Sequence, residues 1–170
     1  MTQLISTKNL MTSSQKVNVI LDVDVFGTSY YIAYPNNIKN LSYKGKINHL
    51  FETIETIETI SLYGCEIFGN IPSLSGLSSL TTFYVYSNQL TTLTDLPSKA
   101  NLNLQIQNNA MTVAEVNENL FICDRDLPTA TTGQINIAGS NASPDGTSGG
   151  FDGLTALSNL LGKGWTVTTS

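Results

Sequence analysis

Two segments of the chain, Ile57-Glu-Thr-Ile-Ser-Leu-Tyr-Gly-Cys-Glu-Ile67 and Leu80-Thr-Thr-Phe-Tyr-Val-Tyr-Ser-Asn-Gln-Leu90, align without a gap. In both, apolar residues hold the first, fourth, sixth and eleventh places: Ile57, Ile60, Leu62 and Ile67, then Leu80, Phe83, Val85 and Leu90. The ninth place is Cys65 in one and Asn88 in the other. A third copy has Leu104, Ile106, Asn109 and Met111 in register, with Leu102 standing in for the poor first residue Asn101. A degenerate fourth lies in Gln134–Ala142, and an incomplete one precedes them all at Ile38–Tyr43. Repeats at a fixed step of this kind mark units that stack on one another.

Each copy reads as a short strand with alternate side chains buried, and successive strands would pair as a parallel sheet. The chain must then turn sharply near the ninth place. A buried side chain there has to satisfy backbone groups of the neighbouring turn, which Asn does well and Cys more weakly. Cys65, Asn88 and Asn109 are therefore expected to form an inward structural ladder. On this reading Cys65 is neither a redox nor a metal residue, and Cys123, near the end of an expected helix, is also structural.

This pattern resembles the leucine-rich repeat family. The end of the chain adds to the likeness: an Asn-Asn-Ala repeat at 108–110, a Thr-Val-Ala-Glu-Val helix at 112–116, an Ile-Asn-Ile-x-Gly-x-Asn-Ala strand at 135–142, and a Gly-Trp-Thr-Val-Thr ending at 164–168. It is similar to the C-terminal part of short leucine-rich repeat proteins among tailed-bacteriophage structural and fibre proteins and bacterial surface proteins. The resemblance spans roughly residues 55–170. It implies an α/β solenoid, a short leucine-rich repeat stack with a parallel sheet on its concave face. Residues 46–170 would form this domain, including a helix-strand C-terminal cap. Residues 1–45 would be a small β-rich N-terminal cap or anchor, with 17–26 and 30–34 as two strands joined near Gly27.

The returns between strands differ. The stretches 70–77 and 93–97 are short and rich in Pro, Gly and Ser, which suggests irregular or single-turn connections. Thr112 and Glu115 form a capping box, and Val113, Val116 and Leu120 make one apolar face of a helix reaching about Ile122. Asp152 is placed to cap a second helix carrying Leu154, Leu157 and Leu161 on one face, ended by Gly162. Trp165 in the last strand reads as a core plug rather than a ligand platform.

Composition narrows the function. The 170 residues carry a formal charge of -5 with only 12% charged side chains, and Ser, Thr and Asn supply nearly a third of the chain. No basic footprint exists for nucleic acid or an anionic membrane surface, and no apolar run approaches the length of a membrane span. The first residues lack the continuous apolar run of a secretory leader. A cytoplasmic protein, or one carried out within an assembly, is therefore expected.

Nothing suggests catalysis, a cofactor or a metal. His49 has no Cys or carboxylate at ligand spacing and reads as a turn residue. Glu52, Glu55 and Glu58 recur every third residue and read as a solvated turn face, not an acid-base pair. Asp145-Gly146 and Asp152-Gly153 lack the bidentate Glu of a calcium loop. Asn141-Ala-Ser143 matches a glycosylation acceptor, of little weight without a secretory route.

The informative surface is the concave one. Outward positions are Thr59, Ser61 and Tyr63; Thr82, Tyr84 and Tyr86; Asn103, Gln105 and Gln107; Gln134, Asn136 and Ala138. None is charged. Tyr63, Tyr84, Tyr86, Gln105, Gln107 and Asn136 are the candidate binding residues, suited to protein contact or to sugars. Tyr and Thr also favour strands on a plain solvated sheet. The expected role is a non-catalytic structural or attachment component of a phage virion, with other virion proteins or a host surface protein or glycan as partners, and self-association left open. A bacterial leucine-rich repeat adhesin or intracellular binding module is the alternative.

Overall fold

The computed structural model describes residues 58–64 and 67–170, together with two earlier strands, β1 (Asn18–Asp22) and β2 (Asn40–Lys44). Later elements are β3 (Thr59–Ser61), β4 (Phe68–Ile71), β5 (Thr82–Tyr84), β6 (Gln89–Leu93), β7 (Asn103–Gln105), α1 (Val113–Asp126), β8 (Gln134–Asn136), α2 (Gly153–Gly162) and β9 (Thr166–Thr168). The fold is mixed α/β. One open parallel sheet runs β1-β2-β3-β5-β7-β8-β9, and β4 and β6 form a separate parallel pair.

Strands β3, β5 and β7 have the same burial pattern, a buried centre between two half-buried neighbours, because alternate side chains face opposite ways. The buried Ile60, Phe83, Leu104 and Ile135 align across the sheet, and the partly buried Val167 of β9 continues the row. Leu62, Val85, Ile106 and Ile137 follow two residues later, all fully or almost fully buried. Each such side chain contributes about 1.5–3 kcal/mol by leaving water, so a one-residue slip in register would expose the whole row.

Strand β1 supplies part of the N-terminal stretch read as one arm of a hairpin. Its described partner is β2, in parallel register; the other arm, 30–34, lies outside the described residues. Residues 72–77 and 94–97 carry no strand or helix, as expected of irregular connections; the β4–β6 pair lies just ahead of them and takes in only Asn70, Ile71 and Leu93 of the two stretches. Phe68–Ile71 is short and holds Gly and Asn at its centre, and its pairing with β6 shifts register between Gly69 and Ile71.

Helix α1 begins with the expected box: the Thr112 hydroxyl accepts the Glu115 amide, and Glu115 accepts the Thr112 amide at 2.7 Å. It runs one turn past Ile122, to Asp126. At its end Asp126 accepts the Leu96 amide at 2.9 Å, and Arg125 pairs with Asp95 at 2.7 Å, tying the helix to the preceding return. Val116 and Leu120 are buried as expected, whereas Val113 is only half-buried.

Helix α2 starts at the expected cap, Asp152, which accepts the Thr155 amide at 2.9 Å. Its buried side is Gly153, Ala156 and Leu160. The expected face of Leu154, Leu157 and Leu161 is therefore corrected: Leu157 is partly buried against the core, but Leu154 and Leu161 are 52% and 53% exposed. Trp165 is 2% exposed and donates from Nε1 to the Pro128 carbonyl at 2.8 Å, so it fills the core. Its ring lies on Gly133, where a Cβ would come within 2.2 Å of it.

Candidate functional site

The asparagine ladder is the frame on which the outward face rests. Asn88 Oδ1 accepts the Ile67 amide at 3.1 Å, and Nδ2 donates to the carbonyls of Leu62, Val85 and Tyr86. Asn109 repeats the scheme one unit later. It accepts the Leu90 amide at 3.1 Å and donates to Val85, Ile106 and Gln107. Each side chain thus stitches its own turn to the one before, and it satisfies backbone groups that would otherwise be buried without partners.

Cys65, the first expected member, lies outside the described residues, as do His49, Glu52 and Glu55. Glu58 is exposed, as expected of a solvated turn.

Asn141 is a ladder member that the sequence did not reveal. It accepts the amides of Asn109 and Met111 at 2.9 and 3.1 Å and donates to Ile106 and Ile137. It is 4% exposed, so in the folded chain its amide nitrogen is not open to glycosylation. An extra residue in this turn, Ser140, had hidden it: Gly139, at φ 79°, holds the left-handed place two residues after Ile137, where a Cβ would lie 2.0 Å from Asn108 Oδ1. Ser87 and Asn108, both at φ 57°, hold the same place directly before Asn88 and Asn109.

Two fully buried asparagines on α1 do similar work. Asn119 accepts the Leu93 amide and donates to Thr91 and Glu115. Asn117 accepts the Asp145 amide and donates to Asp145, Ser148 and Phe151. Asp145 receives further bonds from the Ser148 hydroxyl and amide and the Thr147 amide. Those donors, the Ser148 hydroxyl foremost, hold its carboxyl well below the usual carboxylate range. Its oxygens are thus committed to loop structure.

The outward face comprises three rows. Thr59, Thr82, Asn103, Gln134 and Thr166 form the first, and Ser61, Tyr84, Gln105, Asn136 and Thr168 the second. Backbone bonds beyond the strands carry the register to a third row of Tyr63, Tyr86, Gln107 and Ala138, through Gly64 to Tyr86 at 3.1 Å, Ser87 to Gln107 at 3.0 Å and Asn108 to Ala138 at 3.2 Å. All six candidate binding residues lie on this one face, and β9 adds Thr166 and Thr168. None of these residues is charged.

Contacts on the face are ordered. The rings of Tyr63 and Tyr86 stack with centroids 5.0 Å apart and planes within 6°, and Tyr84 leans on Tyr86 at 6.3 Å. That spacing is the strand separation itself, so the sheet imposes the stack. Asn103 donates to the Tyr84 hydroxyl at 3.1 Å and accepts from Gln105 at 2.7 Å. Gln107 Oε1 is shielded from solvent and accepts no hydrogen bond within the described residues. Tyr63 remains 55% exposed. The result is a rigid neutral surface with an aromatic side and an amide side.

Cys123 is a free thiol inside α1, and burial pushes its titration strongly upward, with Asp126 and Asp124 adding to the effect. Among the described residues, no group of three or more His, Cys, Asp or Glu could hold a metal ion, and no helix is long and apolar enough to cross a membrane. No protein-family model, curated protein or solved structure matches the chain.

Proposed function

We propose that the chain is a short leucine-rich repeat solenoid serving as a non-catalytic structural or attachment protein of a bacteriophage virion. In this reading residues 1–45 contact other virion proteins, and the outward sheet face engages a host surface protein or glycan. One observation carries the binding role: the ordered neutral face, with Tyr63 stacked on Tyr86 and Tyr84 bonded to Asn103. Tyrosines held in place by a sheet lose little side-chain entropy on binding, and neutral amides suit either a peptide backbone or sugar hydroxyls. The repeated asparagine bonds of Asn88, Asn109 and Asn141 support the solenoid part of the reading.

The test is compositional. Particles purified from cells that carry the gene are analysed by quantitative mass spectrometry after density-gradient banding. A fixed copy number per particle is expected. Presence only in the bacterial envelope or cytosol, with none in the particles, would contradict the virion role and favour an adhesin or intracellular module.

A further inference from the structure

The outward face is uneven along its third row, where the side chains shorten from Tyr63 and Tyr86 to Gln107 and then Ala138. The two rings are parallel within 6°, with centroids 5.0 Å apart. Carbon atoms approach no closer than about 3.5 Å, so the ring normals lie within about 45° of the line joining the centroids. That line follows the row, since its length is the strand separation. One face of Tyr86 is therefore covered by Tyr63, and the other is turned toward Gln107 and Ala138. Tyr86 is the wall of a step, whose floor is Gln107 and Ala138 with their second-row neighbours Gln105 and Asn136.

The floor offers both halves of a hydrogen bond. Gln105 commits Nε2 to Asn103, which leaves Oε1 as an acceptor, and Asn136 commits Oδ1 to the Ala138 amide, which leaves Nδ2 as a donor. Gln107 Oε1 is withdrawn from water and meets no donor among the described residues. The last torsion of a Gln side chain is soft, so a modest turn of the amide brings that oxygen to an entering hydroxyl.

We infer that the step between Tyr86 and Gln107 is a sugar subsite, which takes a neutral hexopyranose with vicinal hydroxyls from a host surface glycan. The inference rests on the binding role proposed above and names its ligand. A pyranose has an apolar C–H face and a rim of hydroxyls. Its C–H face suits the electron-rich face of Tyr86. Each hydroxyl both donates and accepts, as the mixed donors and acceptors of Gln105, Gln107 and Asn136 require. The three rows hold no Lys or Arg, so an anionic sugar meets no cation in them, and the net charge of -5 opposes it further. The rows also hold no Phe, Trp or Met, which with Tyr and Arg build the dehydrated core of a protein contact. Tyrosines set among amides and hydroxyls fit a sugar better.

Flow cytometry of the labelled chain on host bacteria tests it, with the cells untreated, oxidised with periodate, or digested with protease. Periodate cleaves the vicinal diols of sugars. Binding should fall about tenfold or more after periodate, whether or not protease removes a protein that carries the glycan. On untreated cells Gln107→Leu should bind about tenfold more weakly, with an unchanged circular dichroism spectrum. Asn136→Asp provides a second variant: it keeps an oxygen for the Ala138 amide, removes the donor, and should weaken binding to a similar degree. Binding that survives periodate and is abolished by protease would overturn the sugar subsite while leaving the face a protein-binding one. Binding unaffected by both variants would overturn it too. No binding to untreated cells would contradict the binding role itself, and the subsite with it.

Discussion

Asn88 and Asn109 share one acceptor: the Val85 carbonyl oxygen receives Nδ2 of both, at 2.9 and 3.2 Å. Every turn of this kind is therefore tied to its neighbour through a side chain, and loss of one asparagine strands groups in two units. Asn109→Ala leaves the Leu90 amide and the Ile106 carbonyl without these bonds. It should cost on the order of 1–3 kcal/mol, and Asn141→Ala should cost a comparable amount. Urea unfolding of each variant measures this, and an unchanged midpoint would refute the ladder.

Ala110 sits at φ 57° on an exposed turn. A non-glycine residue in that region is strained. Ala110→Gly should therefore stabilise the chain by up to about 1 kcal/mol, the relief of strain outweighing the added freedom of the unfolded chain. Gly139→Ala should act in the opposite sense, since its Cβ would meet Asn108. Thermal unfolding of the two variants gives both signs in one experiment.

Gly133 and Trp165 form a pair that can be tested by coupling. Gly133→Ala forces a methyl into the indole ring and should destabilise by about 1–3 kcal/mol. Trp165→Phe removes part of the clash together with the bond to Pro128. The double variant should thus lose less than the sum of the single losses, by 0.5 kcal/mol or more. Strict additivity would mean that the two residues do not touch.

Asp145 sets the acid behaviour of the loop after β8. Its folded carboxyl titrates below the ordinary range because Ser148, Asn117 and Thr147 donate to the charged form. Its contribution is therefore present in full above about pH 4, the unfolded carboxylate range, and is lost only as pH falls through the lower folded value. Wild type should be more stable than Asp145→Ala at neutral pH, and the gap should narrow in acid. A gap that widens below pH 4 would reverse the assignment.

These residues also show what was readable in the sequence. Ile60, Phe83 and Leu104 announced the strands because burial alternates strictly and the step between copies is nearly constant. Asn88 and Asn109 were readable for the same reason. Asn141 was not, because Ser140 lengthens its turn by one residue and moves the side chain out of the expected column. Asn117 and Asn119 carry no burial signal in the sequence, and only their packing against neighbouring returns shows them to be buried. The leucines of α2 were legible as an apolar stripe, but its direction depends on where α1 lies. The outward face was legible in composition; the stacking of Tyr63 on Tyr86 was not, since it follows from the register of β3 and β5.

The central claim is that this neutral face binds. Tyr84→Ser/Tyr86→Ser changes outward side chains that do not fill the core, so the fold should survive, as circular dichroism can confirm. Binding of the purified chain to host cells, measured by flow cytometry over a concentration series, is the direct measurement. The account predicts an affinity reduced roughly thirtyfold, equivalent to about 2 kcal/mol. A folded double variant that binds like the wild type would contradict it.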